Sequence, residues 1–278
     1  MSRSRPFRQV DVFTTTPYLG NPVAVVLDAE GLAAEEMQRF ARWTNLSETT
    51  FLLPPGSPGA DYRVRIFTPT LELPFAGHPT LGTCHAWLEA GGAPRDPKVI
   101  VQECEAGLVT VRPGEPGLEF LAPPLRREGP VEDDTADEVV RALGIDRSQV
   151  VDLAWADNGP GWIAVLLESA EAVLALAPVY SELTIGVTGP YPAGGPEAFE
   201  VRAFFPKDGA VAEDPVTGSL NASLAQWLIG SGRARAPYVA RQGTALGRAG
   251  RVHIAQDPDA AVWVGGGTVT CVEGTVEL

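Results

Sequence analysis

The 278-residue sequence has few cysteines and no excess of positive charge. Its three cysteines are an odd number in a long chain, which argues against a disulfide framework and favours a reducing compartment. The 21 lysines and arginines are outnumbered by 35 acidic residues, which gives a net charge of −14. A nucleic-acid-binding protein or a polybasic membrane-surface binder needs a basic face, so both classes are disfavoured.

The sequence also lacks a run of about 20 apolar residues, which a membrane-spanning helix would need. Its basic start, with Arg3 and Arg5, is not followed by an apolar signal segment. We therefore predict a cytoplasmic protein that binds neither nucleic acid nor membranes. The hydrophobic share of 45% and the charged share of 20% are those of globular proteins, which excludes disorder as the main state.

Several motifs that carry chemistry are missing from the chain. Cys84 and His85 are adjacent and Cys104 has no nearby partner, so no group has zinc-ligand spacing. The sequence contains no dinucleotide fingerprint, no phosphate loop and no nucleophile elbow of a hydrolase. We predict no metal site.

The most informative feature that is present is an internal repeat. Residues 64–69 (VRIFTP) match residues 201–206 (VRAFFP), and each segment is followed by a similar turn and helix. The repeat predicts two similarly folded halves, each rich in strands and with one long helix. The Pro- and Gly-rich stretch 113–130 is the candidate linker, so we place the halves at residues 1–125 and 126–278. Ligand sites favour the cleft of such a pair.

Both halves carry a proline at the expected start of the helix, Pro79 and Pro215. His78 and Asp214 are then the expected N-cap residues, and the first-turn N–H groups behind them would attract a substrate carboxylate. An alternative is that both side chains act only as caps. The residues that would let the ligand approach or would donate to it are Gly77, Gly218 and Ser219.

Glu48 lies between the end of a predicted helix and the apolar residues 51–53. A carboxyl group held against an apolar wall has a raised pKa, which suits a general acid or base near neutral pH. A glutamate in a polar segment is also typical of a solvated loop, and the residues alone favour that interpretation. His85, inside the helix with apolar neighbours, is expected to be a packed core histidine.

Taken together, five segments resemble the PhzF-like phenazine-biosynthesis family over nearly the whole chain. They are Gly20-Asn21-Pro22, residues 46–51 (LSETTF), residues 77–82 (GHPTLG), residues 213–219 (EDPVTGS) and Arg241-Gln242-Gly243. The resemblance implies the diaminopimelate epimerase-like α+β fold. That fold has two pseudo-symmetric halves, each a mostly antiparallel strand barrel around a central helix, with the active site between them. The last strand, about 268–278, can return to the first half, and such proteins are often homodimers.

The resemblance also implies roles for single residues. Glu48 falls on the acid/base that moves a proton on the substrate, and His78 and Asp214 would orient the substrate and adjust the pKa of Glu48. Asn21, Gly77, Gly218 and Ser219 would bind the substrate. The implied protein is a cofactor-independent isomerase that shifts a double bond in a small carboxylate-bearing molecule.

Two other functions stay open at this point. Related epimerases and racemases place a cysteine at each helix start, where this chain has His78 and Asp214, so a two-thiol enzyme is disfavoured. A two-base racemase or epimerase that uses Glu48 and Asp214 is one alternative. A binding protein that kept the cleft without turnover is the other.

Overall fold

A computed structural model describes residues 2–278, which form 18 strands and five α-helices. The chain divides into two compact units. Unit 1 contains the residues up to Leu121 together with Gly265–Leu278, and unit 2 contains Ala122–Val264. Over residues 2–278, no helix has the length and apolar character that a bilayer crossing requires.

Unit 1 starts with eight strands and two helices. They are β1 (Ser4–Val12), β2 (Asn21–Val26), α1 (Ala34–Thr44), β3 (Glu48–Leu53), β4 (Tyr62–Phe67), β5 (Glu72–Leu73), α2 (Gly77–Glu89), β6 (Ile100–Cys104), β7 (Gly107–Pro113) and β8 (Leu118–Leu121). Unit 2 continues the chain with β9 (Arg127–Pro130), α3 (Asp133–Leu143), β10 (Val150–Asp157), β11 (Trp162–Leu167), α4 (Ala170–Leu174), β12 (Thr184–Pro190), β13 (Phe199–Lys207), β14 (Ala210–Asp214), α5 (Gly218–Gly230), β15 (Tyr238–Gln242), β16 (Gly250–Gln256) and β17 (Val262–Gly266). The C-terminal strand is β18 (Thr268–Glu277).

The strands of unit 1 pair in a mixed pattern that is mostly antiparallel. β1 and β2 are antiparallel, β2 and β3 are parallel, and β4 lies antiparallel to both β3 and β5. β4 also pairs in parallel with β6, which is antiparallel to β7. The C-terminal strand β18 runs antiparallel along the whole of β1, from Ser4 opposite Glu277 to Val12 opposite Thr268.

Unit 2 repeats this order of pairing strand for strand. β10 and β11 are antiparallel, β11 and β12 are parallel, and β13 lies antiparallel to both β12 and β14. β13 also pairs in parallel with β15, which is antiparallel to β16. The segments 64–69 and 201–206 of the sequence repeat therefore fall on equivalent strands, β4 and β13, and the chain is an α+β protein with a mixed sheet and few helices.

Each unit also has its own arginine–glutamate ion pair, and the two pairs lie on equivalent strands. Arg65 of β4 makes two hydrogen bonds of 2.7 and 2.6 Å to Glu72 of β5. Arg202 of β13 makes two bonds of 3.0 and 2.7 Å to Glu213 of β14. In each case the guanidinium lies over the phenylalanine two residues further along its strand. Because a two-point contact fixes orientation as well as distance, each pair holds the short strand that leads into a buried helix.

Those helices, α2 and α5, are the most buried in their units. Every residue of α2 from Gly77 to Cys84 is buried, and eight of the residues of α5 are buried as well. A helix that lacks a polar face is stable only where other elements surround it. α1, by contrast, is amphipathic and buries Met37, Phe40 and Ala41 against strand residues such as Phe51.

The close packing of α2 depends on Gly82. A Cβ atom at this position would lie 2.3 Å from the Cγ1 atom of Val23 and 3.0 Å from the Cγ2 atom of Val12. We expect Gly82→Ala to lower the free energy of unfolding by about 1–3 kcal/mol, because strands β1 and β2 would have to move. Urea denaturation followed by circular dichroism would measure the change.

Gly230, the last residue of α5, is the matched control because a Cβ atom there meets nothing within 4 Å. We expect Gly230→Ala to leave stability unchanged or to raise it slightly, since alanine favours helix. Equal stabilities of the two variants would contradict this account of how α2 packs.

Candidate functional site

Three polar residues meet where α2 begins in unit 1. Asn21 and Glu48 are the first residues of the parallel strands β2 and β3, and the register places Val23 opposite Glu48. His78 lies in the first turn of α2. Its Nε2 atom is 3.4 Å from Oε2 of Glu48, and its Nδ1 atom is 3.4 Å from Nδ2 of Asn21. The structure thus brings together three of the residues that the sequence predicts for the site.

His78 is electrically neutral at neutral pH. Its side chain is only 5% exposed, and burial lowers its pKa to about 3 although a hydrogen bond to the backbone of Pro22 acts in the opposite direction. A neutral imidazole has one N–H donor and one acceptor nitrogen. The 3.4 Å approach of Nε2 to Oε2 of Glu48 is therefore a polar contact with a neutral ring rather than an ion pair.

The loop before β2 holds Asn21 in place. The backbone N–H of Gly20 donates to Oδ2 of the buried Asp11 at 2.9 Å. A Cβ atom on Gly20 would lie 2.2 Å from the carbonyl oxygen of Val12, so only glycine fits this approach. Asn21 follows at once and is completely buried, which restricts the amide that faces His78.

The predicted starts of both helices are wrong. α2 begins at Gly77 with Ala76 as its N-cap, and α5 begins at Gly218 with Thr217 as its N-cap. His78 is therefore inside the helix, and Asp214 ends strand β14. Pro79 is the third residue of α2, where its missing N–H also lacks an intrahelical partner, whereas Pro215 lies before α5, so proline marks the first residue of neither helix. Neither helix has a side-chain hydrogen bond at its N-cap.

In unit 2 the predicted residues lie around the start of α5. Asp214 accepts a hydrogen bond of 2.5 Å at Oδ2 from the hydroxyl of Thr217. Ser219 accepts from the indole N–H of Trp162 at 3.1 Å, and its carbonyl accepts from Asn158 at 2.9 Å. Because an indole N–H can only donate, the hydroxyl of Ser219 keeps its own proton for another acceptor.

Gln242 is a residue of this region that sequence reasoning missed. The segment Arg241-Gln242-Gly243 indicates a turn or a positive rim when it is taken alone. In the structure Gln242 is completely buried, and its amide bonds to both Thr217 and Asn221. A glutamine two residues from the buried Ala240 of the same strand shares its inward face, and that alternation could have identified Gln242.

The remaining candidates have other surroundings. His85 is not a plain core residue, because its ring meets the hydroxyl of Thr268 at 2.9 Å and the carboxylate of Glu89 at 3.2 Å. Burial raises the pKa of the Cys84 thiol to about 12, so this cysteine stays protonated. Within residues 2–278, no three His, Cys, Asp or Glu side chains are grouped so that they could hold a metal ion.

Comparisons with known proteins agree over almost the full length. The family model described as "Phenazine biosynthesis-like protein" matches residues 10–274. "Antisense-enhancing sequence 1" of Schizosaccharomyces pombe is 39% identical over 292 residues, covering 96% of this chain and 97% of the relative. "Trans-2,3-dihydro-3-hydroxyanthranilate isomerase" of Pseudomonas aeruginosa is 35% identical over 285 residues, covering 97% of this chain and 98% of the relative. A Bacillus anthracis phenazine biosynthesis protein of the PhzF family superposes with a TM-score of 0.83 at 23% identity, covering 99% of each chain.

The neutral state of His78 makes stability depend on pH. An unfolded histidine takes up a proton near pH 6.5, whereas buried His78 does so only near pH 3, so acid favours the unfolded chain. This contribution is complete above pH 6.5 and is lost as the pH falls. Between pH 6.5 and 4.5 we expect the wild type to lose about 2–3 kcal/mol more than His78→Asn.

Urea denaturation at several pH values would measure both slopes, with His253→Asn as the control. Burial also lowers the pKa of His253, but this side chain is only partly buried, so its removal should change the slope less. Parallel pH profiles for the wild type and His78→Asn would show that His78 is protonated in the folded protein at mildly acidic pH.

Proposed function

The chain belongs to the phenazine biosynthesis-like (PhzF) family of isomerases, and we propose that it moves a proton on a small carboxylate-bearing substrate without a cofactor. The observation that carries the proposal is the 3.4 Å contact of Glu48 with His78, a histidine that burial keeps neutral. Glu48 is the general acid and base. It removes a proton from one carbon atom of the substrate and returns it to another, which shifts a double bond.

A group with this role must be stable in both protonation states during one turnover. As a carboxylate, Glu48 can accept a hydrogen bond from an Nε2–H group of His78. As a carboxylic acid, it can donate to an unprotonated Nε2 atom of the other tautomer, in which the amide of Asn21 must turn its oxygen toward the Nδ1–H group. A neutral His78 therefore serves both states, whereas a protonated one would favour only the carboxylate. Positioned proton transfer of this kind contributes about 10²–10⁴-fold in rate.

The substrate itself would stabilise the charge that develops. When the proton leaves a carbon atom conjugated with a double bond and a carboxylate, the negative charge spreads over the conjugated system. The proposal therefore requires no cofactor.

The groups proposed to hold the substrate are backbone N–H groups and short side chains. Gly77 and Gly218 are the first residues of α2 and α5, and neither helix has a side-chain cap that would occupy its first-turn N–H groups. A helix N-terminus of this kind favours a carboxylate. Ser219 can donate its hydroxyl proton to the substrate. Asp214 would orient the substrate by accepting a hydrogen bond from one of the substrate's donor groups. Asn21 would act by holding His78.

We extend the proposal to the architecture of each unit. The strands of both units pair in the same order, and each unit contains one helix without a polar face. These observations support two pseudo-symmetric halves, each a strand barrel closed around its central helix.

Deuterium uptake from D₂O, followed by NMR, tests the proposed chemistry. The first compound is trans-2,3-dihydro-3-hydroxyanthranilate, which the name of the Pseudomonas aeruginosa relative suggests, followed by a panel of amino acids. We expect uptake with the wild type and at least about 100-fold slower uptake with Glu48→Gln, since the amide cannot take up a proton. Glu171→Gln, in the first turn of α4, is the control and should exchange at the wild-type rate.

The other outcomes separate the alternatives. Uptake at a stereocentre without a shift of the double bond would favour a two-base racemase or epimerase. Uptake that survives Glu48→Gln would remove Glu48 from its role. Tight binding of a compound without any uptake would favour a binding protein.

A further inference from the structure

The amide of Gln242 makes four hydrogen bonds inside unit 2. Its oxygen accepts from the backbone N–H of Thr217 at 2.9 Å and from the side chain of Asn221 at 2.8 Å. Its nitrogen donates to the backbone carbonyl of Asp214 at 3.1 Å and to the hydroxyl of Thr217 at 2.9 Å. Gln242 is completely buried, so these bonds satisfy both ends of the amide.

The orientation of this amide is determined by its backbone partners. The N–H of Thr217 can only donate, so the amide oxygen must face it. The carbonyl of Asp214 can only accept, so the amide nitrogen must face it. A flipped amide would place its nitrogen against the N–H of Thr217 and its oxygen against the carbonyl of Asp214. The usual ambiguity in the orientation of a glutamine amide therefore does not arise here.

The direction of the next hydrogen bond follows. Because the amide nitrogen of Gln242 donates to the Thr217 hydroxyl, that oxygen acts as the acceptor and its single proton must point elsewhere. The hydroxyl lies 2.5 Å from Oδ2 of Asp214, so the proton is directed to that oxygen. A hydrogen bond of this length is typical of an ionised acceptor, because bonds to a carboxylate are shorter than bonds to a neutral oxygen.

Unit 1 also contains a glutamine that donates to a threonine hydroxyl, but this hydroxyl donates to a different kind of acceptor. Gln102 donates to the hydroxyl of Thr80 at 2.8 Å, and that hydroxyl donates to the backbone carbonyl of Ala76 at 2.9 Å. Gln102 is also completely buried. In unit 1 the chain of bonds ends on the backbone and only holds the start of α2. In unit 2 it ends on the carboxylate of Asp214.

We propose that Gln242 and Thr217 are positioning residues that hold Asp214 as an ionised and oriented carboxylate. Gln242 sets the direction of the Thr217 hydroxyl, and this hydroxyl donates to Oδ2 of Asp214. The importance of this for catalysis rests on the proposed function, in which Asp214 orients the substrate. The ionisation of Asp214 can be measured without turnover.

The charged groups on the strands and the loop around Asp214 do not change in the test. Ala203 of β13 lies opposite Asp214, and Arg202 precedes Ala203 in the chain. Arg202 binds Glu213, which precedes Asp214 on β14. Arg241 adjoins Gln242 on β15, and the backbone N–H of Arg248 donates to Gly243 in the following loop. All four charges remain in every variant, so a difference in titration reports the loss of the hydroxyl or of the amide.

The test is a ¹³C NMR titration of protein labelled at the aspartate carboxyl carbon, with the Asp214 signal identified from Asp214→Asn. We expect Thr217→Val to raise the pKa of Asp214 by roughly one unit or more, because a hydrogen bond to the carboxylate is lost. Gln242→Met should raise this pKa too, since the hydroxyl proton is no longer directed. Thr217→Ser, which keeps the hydroxyl, should titrate as the wild type does.

Thr80→Val is the matched control, because it removes the equivalent hydroxyl in unit 1. It should leave the titration of Asp214 unchanged. A wild-type titration in Thr217→Val would overturn the proposal, whatever the deuterium experiment gives. Thr217→Ala gives the same answer if the valine variant does not fold. Once a substrate is known, the pH dependence of kcat/KM gives a second test. The pH at which kcat/KM falls on the acid side should rise in Thr217→Val by as much as the pKa of Asp214 does.

Discussion

The rest of the candidate site depends on the burial of the first turn of α2. Enclosing this turn in unit 1 removes His78 from water and keeps its imidazole neutral. It also creates a demand for hydrogen-bond partners in this turn, because an unpaired buried polar group costs about 1–3 kcal/mol. The pair Gln102 and Thr80 meets part of this demand. The same enclosure allows Glu48 to meet a neutral ring rather than a competing cation.

The two units use the same two kinds of polar interaction to hold their buried helices. Each has an arginine that holds the strand before its buried helix, Arg65 in unit 1 and Arg202 in unit 2. Each has a completely buried glutamine that orders a threonine hydroxyl at the helix start, Gln102 and Gln242. The chemistry-bearing side chains differ, a neutral histidine in one unit and an aspartate in the other. The scaffold is thus repeated while the polar groups that it presents are not.

Much of the fold could be predicted from local sequence. The repeated segments 64–69 and 201–206 fall on the equivalent strands β4 and β13, and a long helix follows each of them as the repeat predicts. The helix starts could not be predicted from the prolines, because Pro79 is the third residue of α2 whereas Pro215 lies before α5. The contact of Glu48 with His78 joins residues 30 positions apart, so the residues alone indicated only a solvated loop, and the family resemblance supplied the role. Gln242 acts on Thr217, 25 positions away, which no local pattern reveals.

We propose that Glu48 works beside a histidine that is neutral at the pH of catalysis. The most direct measurement is a ¹⁵N NMR titration of the imidazole rings, with three histidines in the chain and His78→Asn to identify the signal. We expect both ring nitrogens of His78 to keep the shifts of a neutral imidazole from pH 8 down to about pH 4. A His78 signal that titrates near pH 6.5 would contradict it, because Glu48 would then face an imidazolium that favours only its carboxylate form.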